Sequence, residues 1–537
     1  IPTKSLTKRW PDLNGSFRKC KMPANKSYVF AHDVGTSSVK SALVSHTGEI
    51  IAHSTSSYGF SYPNPGWVEQ DPEDYWNAVV LNTRKILEES RSDTAQIMGM
   101  VFSTQAMGII PLDRNDQLLM HNITWVDGRA EEQALWLMKL LGGRRIFEKM
   151  IGMEITGKDV IPKLRWLKQN KTELYEATES ILDVNGYLKF RATGQKVFEW
   201  SGACSYGFNL KKKDWERLIF KIAGFDLNKL PPLVRSTDVV GTLTPEASKE
   251  LGLPRTVKVF GGCDDTQSAA LGSGSTEEGE AHIYLGTSAW AGITTGKNLK
   301  HKNGAVVLQS ADAQKNLLVG ITESAGANLD WMIEKFYKLE KNDPAISNIY
   351  AFIDNETEGI PAGSDHLIFT PWLLGERCPV STTTTRGTVF NLGQEHTRGH
   401  FVRALLEGVA YNLRWIFENY QRDFGFTPSK IRAIGGGSVN ESWMQGIANI
   451  TGKQVETIDR PTMAGALGAA SCAFVGSGLL DSFHQINQFI NVSNCFSPDP
   501  SVEALYQDLF RSYKDIYRGL KNAYIDANLE RFKQGAR

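Results

Sequence analysis

Near the middle of the chain, Gly261-Gly262-Cys263-Asp264-Asp265-Thr266 sets two consecutive carboxylates between an apolar run, 257–260, and the small-residue stretch Ser268-Ala269-Ala270-Leu271-Gly272. The apolar run predicts a buried strand, the glycines a sharp turn, and the small residues a helix packed closely on a neighbour. Such a unit presents an acid at a cleft, where it can exchange a proton with a ligand. The same pair also suits a helix cap, because a carboxylate is favoured by the exposed N–H groups of a first turn. Two further segments share a second kind of chemistry. Asp33-Val34-Gly35-Thr36-Ser37 and Leu285-Gly286-Thr287-Ser288 both carry a Gly-Thr-Ser turn between β-prone runs. Such turns offer backbone N–H groups and hydroxyls to an anion, and Asp33 adds a hard oxygen suited to a hydrated magnesium ion. Two of them facing one another would grip a phosphate chain from both sides, and their recurrence implies a duplicated chain.

The elements that must hold these groups follow from local pattern. From Tyr28 the sequence predicts a three-strand meander, with Thr47-Gly48-Glu49 turning into the third strand. Asp71-Pro72-Glu73-Asp74 predicts a capped helix start. The strand expected at 97–102 runs into Ser103-Thr104-Gln105-Ala106-Met107-Gly108, and ligands of open α/β sheets bind at such strand ends. In Trp125-Val126-Asp127-Gly128-Arg129 the two charged residues either bind hydroxyls or pair with each other. Ser324 is a candidate cap for a helix starting near Gly326. Strand 431–434, Gly435-Gly436-Gly437 and a following helix form a turn on which a flat ring can rest, with Asn440 available to hydrogen-bond it.

Together with Gly66-Trp67-Val68-Glu69-Gln70-Asp71-Pro72, the segment around Lys163 and Gly375-Glu376-Arg377, these motifs resemble the FGGY carbohydrate kinases. That family belongs to the actin-like, ribonuclease H-like ATPases, and the resemblance covers nearly all of the chain from Tyr28. It implies an α/β fold of two actin-like domains with an interdomain catalytic cleft, 28–266 binding sugar and 267–537 binding nucleotide. It implies ATP and Mg2+, with a small sugar or polyol as substrate. Asp265 is then the catalytic base, with Asp264 as its rival, and Asp33 lies at the metal. Gly35, Thr36, Ser37, Gly286, Thr287, Gly326, Gly436, Gly437 and Asn440 surround the nucleotide, while Gln105, Met107, Asp127 and Asp265 line the sugar site. Glu376 and Arg377 are expected to hold their loop by pairing with each other. Where xylulokinases carry Gln-Met-His-Gly and glycerol kinases Gln-Arg-Glu, this chain has Gln105-Ala106-Met107-Gly108. The absent Arg-Glu argues against glycerol, so a ketopentose such as xylulose leads. Alditols and other sugars remain open, as does a non-catalytic actin-like nucleotide-binding protein.

Composition narrows the rest. A chain of 537 residues, 41% hydrophobic and 22% charged, exceeds one ordinary core and is that of a globular protein of two or more domains. A net charge of +0 gives no reason to expect nucleic acid or an anionic membrane as partner, and a homodimer is admitted. The six cysteines lack Cys-x-x-Cys spacing, pointing to a reducing cytoplasm rather than zinc or disulfides. There is no Gly-x-x-x-x-Gly-Lys-Ser/Thr loop and no well-placed dinucleotide fingerprint, which disfavours P-loop kinases and nucleotide-dependent oxidoreductases. Residues 1–27 are basic without hydrophobic period and are expected to form a flexible extension.

Overall fold

The computed structural model describes residues 27–143, 146 and 155–535, so the expected flexible extension 1–27 lies, but for its last residue, outside the described residues. β1 (Tyr28–Val34), β2 (Ser38–Ser45) and β3 (Ile50–Ser57) form the expected antiparallel meander. β4 (Ile97–Thr104) runs parallel to β1. β5 (Val239–Thr242) and β6 (Lys258–Phe260) close that edge, β6 parallel to β4 and β5 antiparallel to β6. The short strand Cys263–Asp264 continues the parallel pairing at the end of β4.

The second sheet repeats the plan. β7 (Ala281–Leu285) and β8 (Ala289–Thr295) pair antiparallel, and β9 (Ala305–Gln309) and β10 (Asn316–Ile321) extend the meander through β10. β11 (Lys430–Ile434) lies parallel to β7, β12 (Gln454–Ile458) parallel to β11, and β13 (Val492–Phe496) antiparallel to β12. Meander, two parallel strands, one antiparallel edge: both halves share it, as the repeated turns imply.

Helices cover these sheets and join the lobes. α1 (Pro72–Ser90) is capped by Asp71, which accepts from the Glu73 N–H at 2.9 Å. α2 (Val184–Thr193) and α3 (Trp200–Tyr206) lead to α4 (Asp265–Gly272). α5 (Gly326–Phe336), α6 (Ile349–Thr357), α7 (Arg398–Phe424) and α8 (Glu441–Thr451) belong to the second half. α9 (Ala464–Ser477) crosses back: Ala466, Ala469, Ala470 and Phe474 pack with Val29, Ala31, Ala42 and Val101 of the first sheet. It also crosses α4 at backbone contact, where a Cβ on Gly272 would stand 1.8 Å from the Ala464 carbonyl oxygen. A Cβ on Gly468 would stand 1.9 Å from that of Ser268. The small residues read from the sequence are the requirement of this crossing. The last helix, α10 (Glu503–Gly535), buries Tyr506, Phe510 and Tyr513 in the second core. Among the described residues no helix is long and apolar enough to cross a membrane.

Candidate active site

The two Gly-Thr-Ser turns close alike: Gly35 N–H donates to Ser38 O and Gly286 N–H to Ser288 O, both at 3.0 Å. In the first, Thr36 Oγ1 accepts from Trp125 Nε1 at 3.0 Å, its carbonyl accepts from Gln70 Nε2 at 2.8 Å, and Ser37 is exposed at the tip. In the second, Gly286 O accepts from Gly326 N–H at 2.9 Å, while Thr287 O accepts from the N–H groups of Ala325 and Ala327. A Cβ on Gly326 would lie 2.6 Å from Gly286 O, so this glycine lets α5 start against the turn. Ser324 does not cap that helix. Its hydroxyl donates to Asn328 Oδ1 at 2.9 Å, drawn aside by a buried amide.

At the third turn, Gly436 has nothing within 4 Å of where a Cβ would be, whereas Gly437 backs onto Trp443 and Leu285. Gly436 thus offers a clear floor for a flat ring. Asn440 is not the free amide its sequence suggests: Oδ1 caps α8 through Trp443 N–H and Nδ2 donates to Asp354 Oδ1, each at 2.7 Å.

The paired acids separate by environment. Asp264 is 4% exposed, and its N–H donates to Ser201 Oγ at 2.9 Å. Burial first, then the charges of Asp183, Asp265 and Glu199, pushes its carboxyl well above the usual range. Asp265 is more open, and burial followed by the charge of Asp33 raises it to about 6. Thr266 Oγ1 donates to Asp265 Oδ1 at 3.1 Å, favouring the charged form. Neither acid acts as a conventional cap, since Asp264 at the N-cap position makes no side-chain capping bond. A carboxylate poised near neutrality suits a general base.

Asp33 Oδ1 accepts from Ser103 Oγ at 3.2 Å, and Ser103 Oγ is 2.7 Å from Ser268 Oγ. Its other oxygen faces Gly465, where a Cβ would lie 2.6 Å away, so α9 approaches the carboxylate because that position is glycine. Burial raises the Asp33 carboxyl, and the charge of Lys40 partly offsets this. A hard carboxylate oxygen beside a phosphate-type turn fits a magnesium ion that keeps most of its ligands as water and phosphate. Among the described residues no group of three metal-ligating side chains converges.

On the sugar side, Gln105 is buried, with Nε2 donating to Gln70 Oε1 at 2.9 Å and its backbone N–H to Val34 O at 2.8 Å. Tyr75 and Asn122 extend this neutral network. Gln105 Oε1 is buried without a partner. Met107 is half-buried with φ +65°, a left-handed conformation that a non-glycine residue adopts at a cost. Asp127 differs from the expectation of an open acceptor. Its Oδ1 takes the N–H and Nε of Arg129 at 2.9 Å, and Oδ2 takes Val68 N–H and Arg129 Nη2. Arg129 lies against an edge-to-face pair, Trp67 and Trp166, 4.0 and 5.0 Å from their ring centres, and also meets Glu69. All four of these contacts of the Asp127 carboxylate are thus to Arg129 and the Val68 N–H.

Comparison with known proteins settles the family. Residues 28–272 match the N-terminal domain, and 281–477 the C-terminal domain, of the FGGY family of carbohydrate kinases. The chain belongs to that family. It is 30% identical to a xylulose kinase of Bacillus subtilis over 94% of this chain and 99% of that one. Two solved structures from Lactobacillus acidophilus, a ligand-bound xylulose kinase (TM-score 0.83) and a gluconate kinase (TM-score 0.84), are each 26% identical. Both cover 93% of this chain and 99% of theirs. This FGGY protein is thus an ATP-dependent carbohydrate kinase with the two-domain, actin-like fold.

Several residues that hold the kinase's central turn carry no sequence signal of their own. Asn185 Nδ2 donates to Phe102 O and Cys263 O, at 3.0 and 3.3 Å. Lys189 Nζ donates to Gly261 O at 3.1 Å, and Ser201 receives the Asp264 N–H. Gly262, at φ +71°, leaves no room for a side chain, because its Cβ would lie 2.1 Å from Phe102 O. The Glu376–Arg377 pairing is corrected. Glu376 Oε1 accepts from the N–H groups of Glu323 and Arg377, its Oε2 from Asn412 Nδ2, and Arg377 pairs instead with Glu323.

Proposed function

We propose that this kinase transfers the γ-phosphoryl group of ATP to a hydroxyl of a ketopentose such as xylulose, with Asp265 as general base. The observation that carries the reading is Asp265, raised to about 6 and within electrostatic reach of Asp33 at the first phosphate turn. Asp265 removes the proton of the attacking hydroxyl as the bond to phosphorus forms. Gly35, Thr36 and Ser37 from one lobe, with Gly286 and Thr287 from the other, hold the phosphates by N–H and hydroxyl groups. Gly436 lets the nucleotide approach the backbone, Gly326 and Gly437 serve by packing α5 and the third turn beside it, and Asn440 by fixing the start of α8. A magnesium ion held by Asp33 would supply charge neutralisation at the phosphate oxygens. Phosphoryl transfer asks chiefly for such alignment and neutralisation.

The choice of a neutral sugar rests on the pocket wall. Gln105, Gln70, Tyr75 and Asn122 form an uncharged network, and Arg129 is already matched by Asp127 and Glu69. Two nearby cations, Lys158 of the first domain and Arg377 of the second, are both paired with Glu323. A substrate carboxylate would displace one of these partners, whereas sugar hydroxyls would not. The test is ADP release with Mg-ATP against ketopentoses, alditols, hexuloses, glycerol and gluconate. A ketopentose should give the highest kcat/KM, and a higher value for gluconate or an alditol would reject it as substrate.

A further inference from the structure

One chain of contacts crosses the cleft twice. Lys158, in the first family domain, places Nζ 2.9 Å from Oε1 of Glu323, in the second. The other oxygen of Glu323 lies 2.7 Å from Arg377 Nε, an ion pair rather than a linear hydrogen bond. Arg377 returns to the first lobe, its Cζ 5.6 Å from the centre of the Trp125 ring, within cation–π range. Trp125 Nε1 then donates to Thr36 Oγ1 in the first phosphate turn at 3.0 Å.

Glu323 is well placed to hold this chain. Its side chain is 13% exposed, against 44% for Lys158 and 39% for Arg377. Burial alone would raise its carboxyl, but the charges of Arg377 and Lys158 overturn that and hold it below the usual range. Its backbone is fixed as well, because Glu376 Oε1 accepts from the N–H groups of both Glu323 and Arg377, at 2.6 and 2.9 Å. Glu323 also stands three residues before Gly326, where α5 meets the second phosphate turn. Without its carboxylate, Lys158 and Arg377 would both lose the partner they share.

We propose that Glu323 is a positioning residue that clamps the closed cleft, binding Lys158 from one lobe and steadying Arg377 on Trp125, and through it the Thr36 hydroxyl. The inference uses the kinase activity of the family and does not depend on which sugar is bound. Closure of this kind excludes water and aligns the reacting groups, so its loss should appear in the sugar-dependent step more than in nucleotide binding.

Glu323→Gln keeps the shape and the backbone bonds to Glu376 while removing the charge. With the best sugar substrate it should lower kcat/KM for sugar by about 10- to 100-fold, as expected when groups outside the chemistry misalign it. Binding of Mg-ATP to the sugar-free protein should change less than about threefold, and the share of ATP hydrolysed without sugar phosphate should rise. Lys158→Met should give a smaller loss, and the double variant should be no worse than Glu323→Gln alone, because both remove one interaction. Raising salt from about 0.05 to 0.5 M should raise the sugar KM of the wild type and leave that of Glu323→Gln nearly flat. Additive losses in the double variant, or a lowered melting temperature with wild-type kcat/KM and coupling, would overturn the proposal in favour of a structural role.

Discussion

The protonation of Asp265 gives the sharpest handle on the mechanism. Moving its carboxyl from an ordinary 3.8 to about 6 corresponds to about 3 kcal/mol of preference for the neutral form. If Asp265 must be ionised to act, about half of the enzyme is competent near pH 6 and about a tenth near pH 5. The assay is kcat/KM for the sugar from about pH 5 to 8, at saturating Mg-ATP, following ADP release. It should fall with unit slope below about pH 6, roughly tenfold per pH unit, instead of staying level to about pH 4. Asp265→Asn should cut turnover by about 10²- to 10⁴-fold and erase this limb. Part of the shift comes from Asp33, so Asp33→Asn should move the Asp265 titration, followed by carboxyl NMR, to lower pH. A wild-type limb near pH 4, or the same limb surviving in Asp265→Asn, would refute the assignment.

Two substitutions test the framework behind that carboxylate. Gly272→Ala forces α4 away from Ala464 O, only 1.8 Å from the new Cβ, and should cost about 1–3 kcal/mol or more in thermal or denaturant unfolding. Lys189→Met leaves Asp183, Glu199 and Asp264 without their buried cation and Gly261 O without its donor. It should cost about 3–5 kcal/mol at neutral pH. The three carboxyls are already raised by burial, so their charged forms destabilise the fold above the unfolded carboxylate range, and that penalty is relieved as pH falls. The melting temperature of Lys189→Met should therefore recover towards wild type between about pH 8 and 6.

What the sequence revealed was whatever the backbone demands locally. The meander at Tyr28, the Asp71 cap, the twin turns and the small residues of α4 and α9 each follow from allowed torsions, capping or close approach within a few residues. What it concealed depends on distant partners. Nothing near Asp127 says that Val68 N–H and two tryptophans beside Arg129 will close around it. Asn440 looked free because Asp354, 86 residues away, is invisible from its turn. Lys189 meets Gly261 across 72 residues, and Lys158 meets Glu323 across 165. Adjacent charges misled as well: Glu376 and Arg377 are neighbours, yet the buried carboxylate takes backbone N–H groups and the guanidinium finds another acid.

The duplication leaves the two Gly-Thr-Ser turns with different neighbours. Two residues before Gly35 stands Asp33; two residues before Gly286 stands Tyr284. The Tyr284 ring stacks on Trp290 at 4.0 Å, and a Cβ on Gly286 would strike it at 2.5 Å, so the second turn rests on an aromatic floor. Burial, then the charges of Asp33 and Asp265, holds the Tyr284 hydroxyl in its neutral form, which places all three groups within one electrostatic neighbourhood. A carboxylate at 284 would bring a third negative charge to a cleft whose ligand is itself polyanionic. It would also raise Asp265 further and leave less of the base ionised at neutral pH. One lobe carries both acids while the other carries none at this position, an asymmetry that leaves two copies of one fold chemically unequal.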